Sequence, residues 1–183
     1  MSFLDYVISC FGDLPIWFYI VTAIIFAILS LLVTRLKRSD KRQIWISRIF
    51  ILLYIVLIYS STVLFRPGHP GRAYNFQPFW SYRLIAGDNW YLLYENILNV
   101  LVFIPLGIAL IFAFKKLHLW EALLIGGLFS FIIETSQYYL GSGFAEIDDL
   151  IHNTLGCAIG YGIVSVLFRQ AKNRRSKRGF EQN

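Results

Sequence analysis

The sequence predicts an all-α, polytopic membrane bundle of five transmembrane helices, N-terminus outside and C-terminus in the cytoplasm. Three observations carry that prediction. Hydrophobic residues make up 57% of the 183-residue chain and charged ones only 15%, where a soluble domain carries roughly 25% charge. The apolar residues stand in long blocks rather than in the alternating or amphipathic patterns of half-buried elements. The basic residues, which give a net charge of +6, gather at the ends of those blocks, as membrane orientation requires. Charge placed in this way argues against nucleic acid as a partner.

A bilayer core about 30 Å thick needs roughly 20 apolar residues per helix, and the blocks 15–34, 44–64, 91–114, 120–140 and 147–168 meet that length. The first is not a cleaved signal peptide, because Asp5 and Asp13 precede it in place of a basic region. Arg35, Lys37, Arg38, Lys41 and Arg42 fill the first connection, Lys115 and Lys116 the third, and six Lys and Arg between Arg169 and Arg178 the tail. The positive-inside rule puts all three in the cytoplasm. The chain then divides into an outer N-terminus (1–14), two helices (15–64), a core with an outer lid and three helices (65–168), and a disordered basic tail (169–183) drawn to anionic lipid. The lid should be short. Pro67, Pro70 and Gly71 break the chain, and the aromatic run over 76–84 suits the headgroup layer. Cys10 and Cys157 read as small apolar residues, and no spacing indicates zinc or another metal.

Polar side chains inside apolar blocks are costly, so each needs a reason. Glu95, Asn96 and Asn99 fall in the first two turns of the third span, Glu134 and Gln137 near the end of the fourth, and Asp148, Asp149 and Asn153 at the start of the fifth. The alternating directions of those spans bring them to one depth in the outer leaflet, on matching i, i+3 and i, i+4 faces. The outer connection adds Arg66, Arg72 and Arg83, whose guanidinium forks suit carboxylates and phosphates. Deeper down, Gly156 and Gly160 form a G-x-x-x-G pair for close helix packing, while Pro105 should bend the third span with Gly107 easing the bend. The expected result is a cavity open to the outside that takes a lipid headgroup or a lipid-linked saccharide. His152 points away from Asn153 and reads as a packed ring, whereas His69 and His118 fall in connections.

Four stretches in this order resemble the VanZ-like family of small multi-pass bacterial membrane proteins. They are Asn75-Phe-Gln-Pro-Phe79, Asn96-Ile-Leu-Asn-Val-Leu-Val-Phe-Ile-Pro-Leu-Gly107, the pair Glu134 and Gln137, and Asp148-Asp-Leu-Ile-His-Asn-Thr-Leu-Gly156 with Gly160. The resemblance covers residues 65–162 and implies a role in resistance to glycopeptides, chiefly lipid-tailed ones such as teicoplanin, through an effect at the cell envelope. It also implies an arginine between Gln137 and the acidic pair. This chain has Gly141-Ser142-Gly143 there, so Arg66 or Arg83 would supply the cation.

The leading expectation is an envelope protein whose outer-leaflet pocket engages a lipid headgroup or cell-wall precursor through Glu134, Gln137, Asn96, Asn99, Asp149, Asn153, Glu95, Arg66 and Arg83. The alternative is a membrane enzyme acting on a lipid-linked phosphate or saccharide, with Glu134 or Asp149 as base and an outer arginine on the phosphoryl charge. A small transporter is a third reading, opposed by the apolar inner halves of the third and fifth spans. The blandest reading is a scaffold in which Glu134 only locks the bundle by bonding Asn96, Asn99 or Asn153. No cofactor is expected, the partners are membrane lipids or a lipid-linked precursor, and self-association into a homo-oligomer is left open by the sequence.

Overall fold

The computed structural model describes residues 41–66 and 73–180, together with Asp5, Ile20 and Ile24. The predicted span 15–34 apart from Ile20 and Ile24, and Cys10, His69 and Arg72, lie outside the described residues, and for 172 and 174–180 only the backbone is described. In chain order the elements are α1 (Lys41–Tyr59) with a π-helical turn (Ser60–Leu64), β1 (Ala73–Asn75), α2 (Trp80–Ile85), α3 (Trp90–Ala113), α4 (Leu119–Leu140), β2 (Phe144–Glu146) and α5 (Ile147–Phe180). Four helices among the described residues are long and apolar enough to cross a membrane: α1 with its π turn, α3, α4 and α5.

Local chemistry sets the helix ends. The π turn falls where Ser61 and Thr62 both turn their hydroxyls back onto the Ile58 carbonyl, at 2.9 and 2.8 Å, a competition that loosens regular α pairing. Before α4, the Glu121 carboxylate accepts the His118 backbone N–H at 2.7 Å in a capping box. Gly141, at φ 66°, closes the same helix in the left-handed conformation. The α3 helix runs unbroken through Pro105. Pro105 leaves the Leu101 carbonyl without its intrahelical donor, and one residue along, the Tyr54 hydroxyl donates to the Val102 carbonyl at 2.8 Å.

The α5 helix lies against both α3 and α4, and α1 packs on α3. Glycines let α3 and α5 meet backbone to backbone. A Cβ on Gly107 would stand 2.9 Å from the Cys157 carbonyl carbon, and one on Gly160 would stand 3.0 Å from the Ile104 carbonyl carbon. Close approach of this kind replaces the missing hydrophobic drive between helices in lipid. The core beside the seam is built from Phe50, Tyr54 and Ile58 of α1, Phe103, Leu106 and Leu110 of α3, and Phe129 and Ile133 of α4. Facing outward are Leu52, Leu53, Val56, Leu101, Leu124, Leu128, Leu155 and Leu167, as on a bundle bathed in hydrocarbon.

Two expectations need correction. The basic tail is helical to Phe180 where its composition predicts disorder, because Lys, Arg and Gln are good helix formers and extending an existing helix needs no new nucleus. The fold is also not purely helical. Strands β1 and β2 pair in parallel, with Ala73 opposite Phe144 and Asn75 opposite Glu146, and join the segment before α2 to the turn between α4 and α5.

Candidate functional site: an acidic cluster beside an aromatic groove

The polar residues singled out in the sequence meet at the end of the bundle that carries α2, but they divide into three arrangements. The first holds the lid. Asp148, 1% exposed, accepts the backbone N–H groups of Phe79 and Ser81 at 2.5 and 3.0 Å and the Ser81 hydroxyl at 2.6 Å. Its carboxylate therefore caps the N-terminus of α2, a helix 67 residues earlier in the chain. Asn96 donates to the Ser81 hydroxyl at 3.0 Å. The Tyr82 hydroxyl meets His152 Nε2 at 2.8 Å, so His152 is a packed ring that also grips the lid.

The second arrangement is interhelical. Asn153 donates to Ser130 Oγ at 2.9 Å, tying α5 to α4. Asn99 joins neither group, and its half-buried side chain has an amide nitrogen without a partner among the described residues.

The third is an acidic cluster. Glu134 Oε2 accepts the Glu146 backbone N–H at 2.9 Å. The charges acting on Asp149 are those of Glu134, Glu95, Glu146 and Arg66, and Arg66 Nη2 lies 3.8 Å from Glu95 Oε1. Gln137, one turn along α4 from Glu134, donates to the Thr62 carbonyl at 3.1 Å and leaves its own oxygen unpartnered. Beside the cluster runs a groove of about 390 Å³, lined by Tyr74, Phe76, Phe131, Tyr138, Tyr139, Leu150 and the two carboxylates Glu134 and Glu146.

Glu146 escapes the sequence reading. It lies in a three-residue strand after a glycine-rich turn, outside every apolar block, and no periodicity marks it. Arg83 is a correction in the other direction. It is exposed on α2 and is not among the charges acting on Glu134, Glu146 or Asp149. The short helix is fixed by Asp148 and His152 through Ser81 and Tyr82, which sends its fourth residue, Arg83, outward. No group of His, Cys, Asp and Glu with the geometry of a metal site occurs among the described residues.

The family model for VanZ/LLP1 matches residues 16–169. The chain belongs to the VanZ/LLP1 family. No curated protein and no solved structure matches it significantly. In this VanZ/LLP1 chain the Arg66 guanidinium, from another element, lies beside the turn Gly141-Ser142-Gly143. A Cβ on Gly143 would stand 3.2 Å from Arg66 Nη1 and 3.4 Å from the Gln137 amide carbon, so the guanidinium lies against the turn and leaves a side chain at 143 little room.

Burial pushes the Glu146 carboxyl up to about 7, with the Glu95 and Asp148 charges adding to the rise and Arg66 and the Trp80 indole opposing it. Folding therefore favours the protonated form. The stability this gives is complete below the ordinary glutamate range and disappears as pH rises through about 7. Detergent-solubilised protein should melt lower at pH 8 than at pH 5 by a margin that Glu146→Gln narrows. An unchanged margin in the variant would assign the pH dependence to other groups.

Proposed function

We propose that this VanZ/LLP1 protein is a multi-pass protein of the cell membrane, with five spans and an outer N-terminus. Its groove engages a lipid headgroup or lipid-linked cell-wall precursor, and by doing so lowers susceptibility to lipoglycopeptides such as teicoplanin. The reading is carried by one observation: Glu134 and Glu146, with Arg66 among the charges acting on both, line an apolar and aromatic groove at one end of an apolar bundle. Clefts of this size and composition, apolar with a few convergent polar groups, suit small amphiphilic ligands. Membership of the family supplies the connection to resistance.

Overexpression in a susceptible host should raise tolerance to teicoplanin several-fold and tolerance to vancomycin less, and Glu134→Gln should abolish the difference. Equal tolerance to both drugs would remove the lipid-tail selectivity from this reading. A second reading, an enzyme acting on a lipid-linked phosphate or saccharide, is favoured by Glu146, whose carboxyl near 7 matches the operating range of a general acid or base. Mass spectrometry of lipids from cells with and without the protein separates the two, since only catalysis creates a changed lipid.

A further inference from the structure

We propose that the groove between α4 and the β1–β2 pair is selective for an amine-bearing membrane lipid, holding its ammonium group between the Glu134 and Glu146 carboxylates and the surrounding aromatic rings. This rests on the headgroup reading above and names the chemistry of the head.

Charge is the first argument. The charges of Glu134, Glu95 and Glu146 act on Asp149, those of Glu146 and Glu95 on Glu134, and that of Glu95 on Glu146, and among the described residues the one guanidinium acting on all four carboxylates is Arg66. Arg66 is already paired with Glu95. None of the side chains lining the groove is basic, while two of them are carboxylates. A cation between Glu134 and Glu146 offsets the cost of ionising them there, whereas a phosphate alone adds to it.

The rings are the second argument. Tyr74 stacks on Phe76 with centroids 5.0 Å apart and meets Tyr138 edge-on at 6.1 Å, and Tyr138 meets Tyr139 at 5.4 Å. The rim is therefore continuous aromatic surface, and ring faces attract an ammonium most strongly where water is excluded.

Spare acceptors are the third. An ammonium presents three donors. Gln137, on the same face of α4 as Glu134, is only 3% exposed and its Oε1 has no partner. The Gln137 amide and the Arg66 guanidinium both lie next to Gly143, which puts this amide near the charged cluster.

The apolar flank says why the amine belongs to a lipid. Phe131 is 57% exposed on α4 and lines the groove with Ile147 and Leu150. A chain attached to the ammonium would lie along that flank at membrane depth. A free amine would leave it uncovered.

The test is lipid retention by the full chain. Protein extracted in mild detergent and loaded with equimolar phosphatidylethanolamine and phosphatidylglycerol is read by native mass spectrometry. The amine lipid should be retained about tenfold better, the order of one charge-assisted hydrogen bond. Glu134→Gln and Glu146→Gln should each erase most of that preference, as should Tyr138→Leu, which removes a ring face and no charge. Melting curves show that each variant is folded, and millimolar ethanolamine should fail to displace the lipid. Displacement by ethanolamine would overturn the lipid assignment. Better retention of phosphatidylglycerol, lost in Arg66→Ala and kept in the Glu variants, would overturn the amine assignment and leave the headgroup reading standing. Retention unchanged by every substitution would remove both.

Discussion

Gly156→Val is expected to prevent α3 and α5 from docking and to leave little folded protein. A Cβ at position 156 would press on the Val100 carbonyl oxygen and stand 2.9 Å from its carbon and 3.0 Å from the Phe103 Cβ. Overpacked cores usually lose about 1–3 kcal/mol because neighbouring side chains can shift. Here the neighbour is helical backbone, which cannot rotate aside, so the helices must separate. Separation also disturbs the contacts at Gly107 and Gly160, so the loss should be about 3 kcal/mol or more, a large share of a typical folding free energy of about 5–15 kcal/mol. Gly162 provides the control on the same helix, since a Cβ there meets nothing within 4 Å. Gly162→Ala should be neutral or stabilising by up to about 1 kcal/mol through helix propensity. Thermal melts of solubilised protein compare the pair, and equal losses in the two variants would contradict the backbone seam.

Asp148→Ala should release the lid while the bundle stays intact. The carboxylate holds two backbone N–H groups and one hydroxyl, and Ser81, at 1% exposure, has no route to replacement by water. Hydrogen bonds to a charged group contribute about 1.5–3 kcal/mol each, and bonds within one network do not simply add, so a total near 3–5 kcal/mol is expected. Phe79 adds to the effect. Its φ of 62° places a non-glycine residue in the left-handed region, which costs about 1–2 kcal/mol and needs a partner such as this carboxylate to hold it. Hydrogen exchange is the measurement. Amides of 79–86 should exchange faster in the variant while those of the α3–α5 seam keep their protection, and uniform acceleration would assign Asp148 to the core instead of the lid.

The spans were the legible part of this fold because long apolar blocks need no partner to be recognised. The expected bounds 91–114 and 120–140 differ from α3 by one residue at each end and from α4 by one residue at its start. The close approach at Gly156 and Gly160 was legible for a similar reason: the absence of side chains can be read without knowing what fills the space. What escaped depends on segments far apart in the chain. Strands of three residues carry no periodicity, so the β1–β2 pairing, and with it the placement of Glu146 against Glu134, could not be read locally. Asp148 sits in the first turn of α5 and so reads as a cap for its own helix, whereas its hydrogen bonds go to another. Position alone made Arg66 and Arg83 equivalent candidates. The docking of α2 distinguishes them by turning Arg83 outward.

The continuation of α5 to Phe180 has a mechanical consequence. Its 34 residues extend about 50 Å at about 1.5 Å per residue, against a hydrocarbon layer about 30 Å thick. The helix is therefore longer by several turns than one crossing of such a layer needs, and its backbone continues past that length as a rod rather than a slack tether.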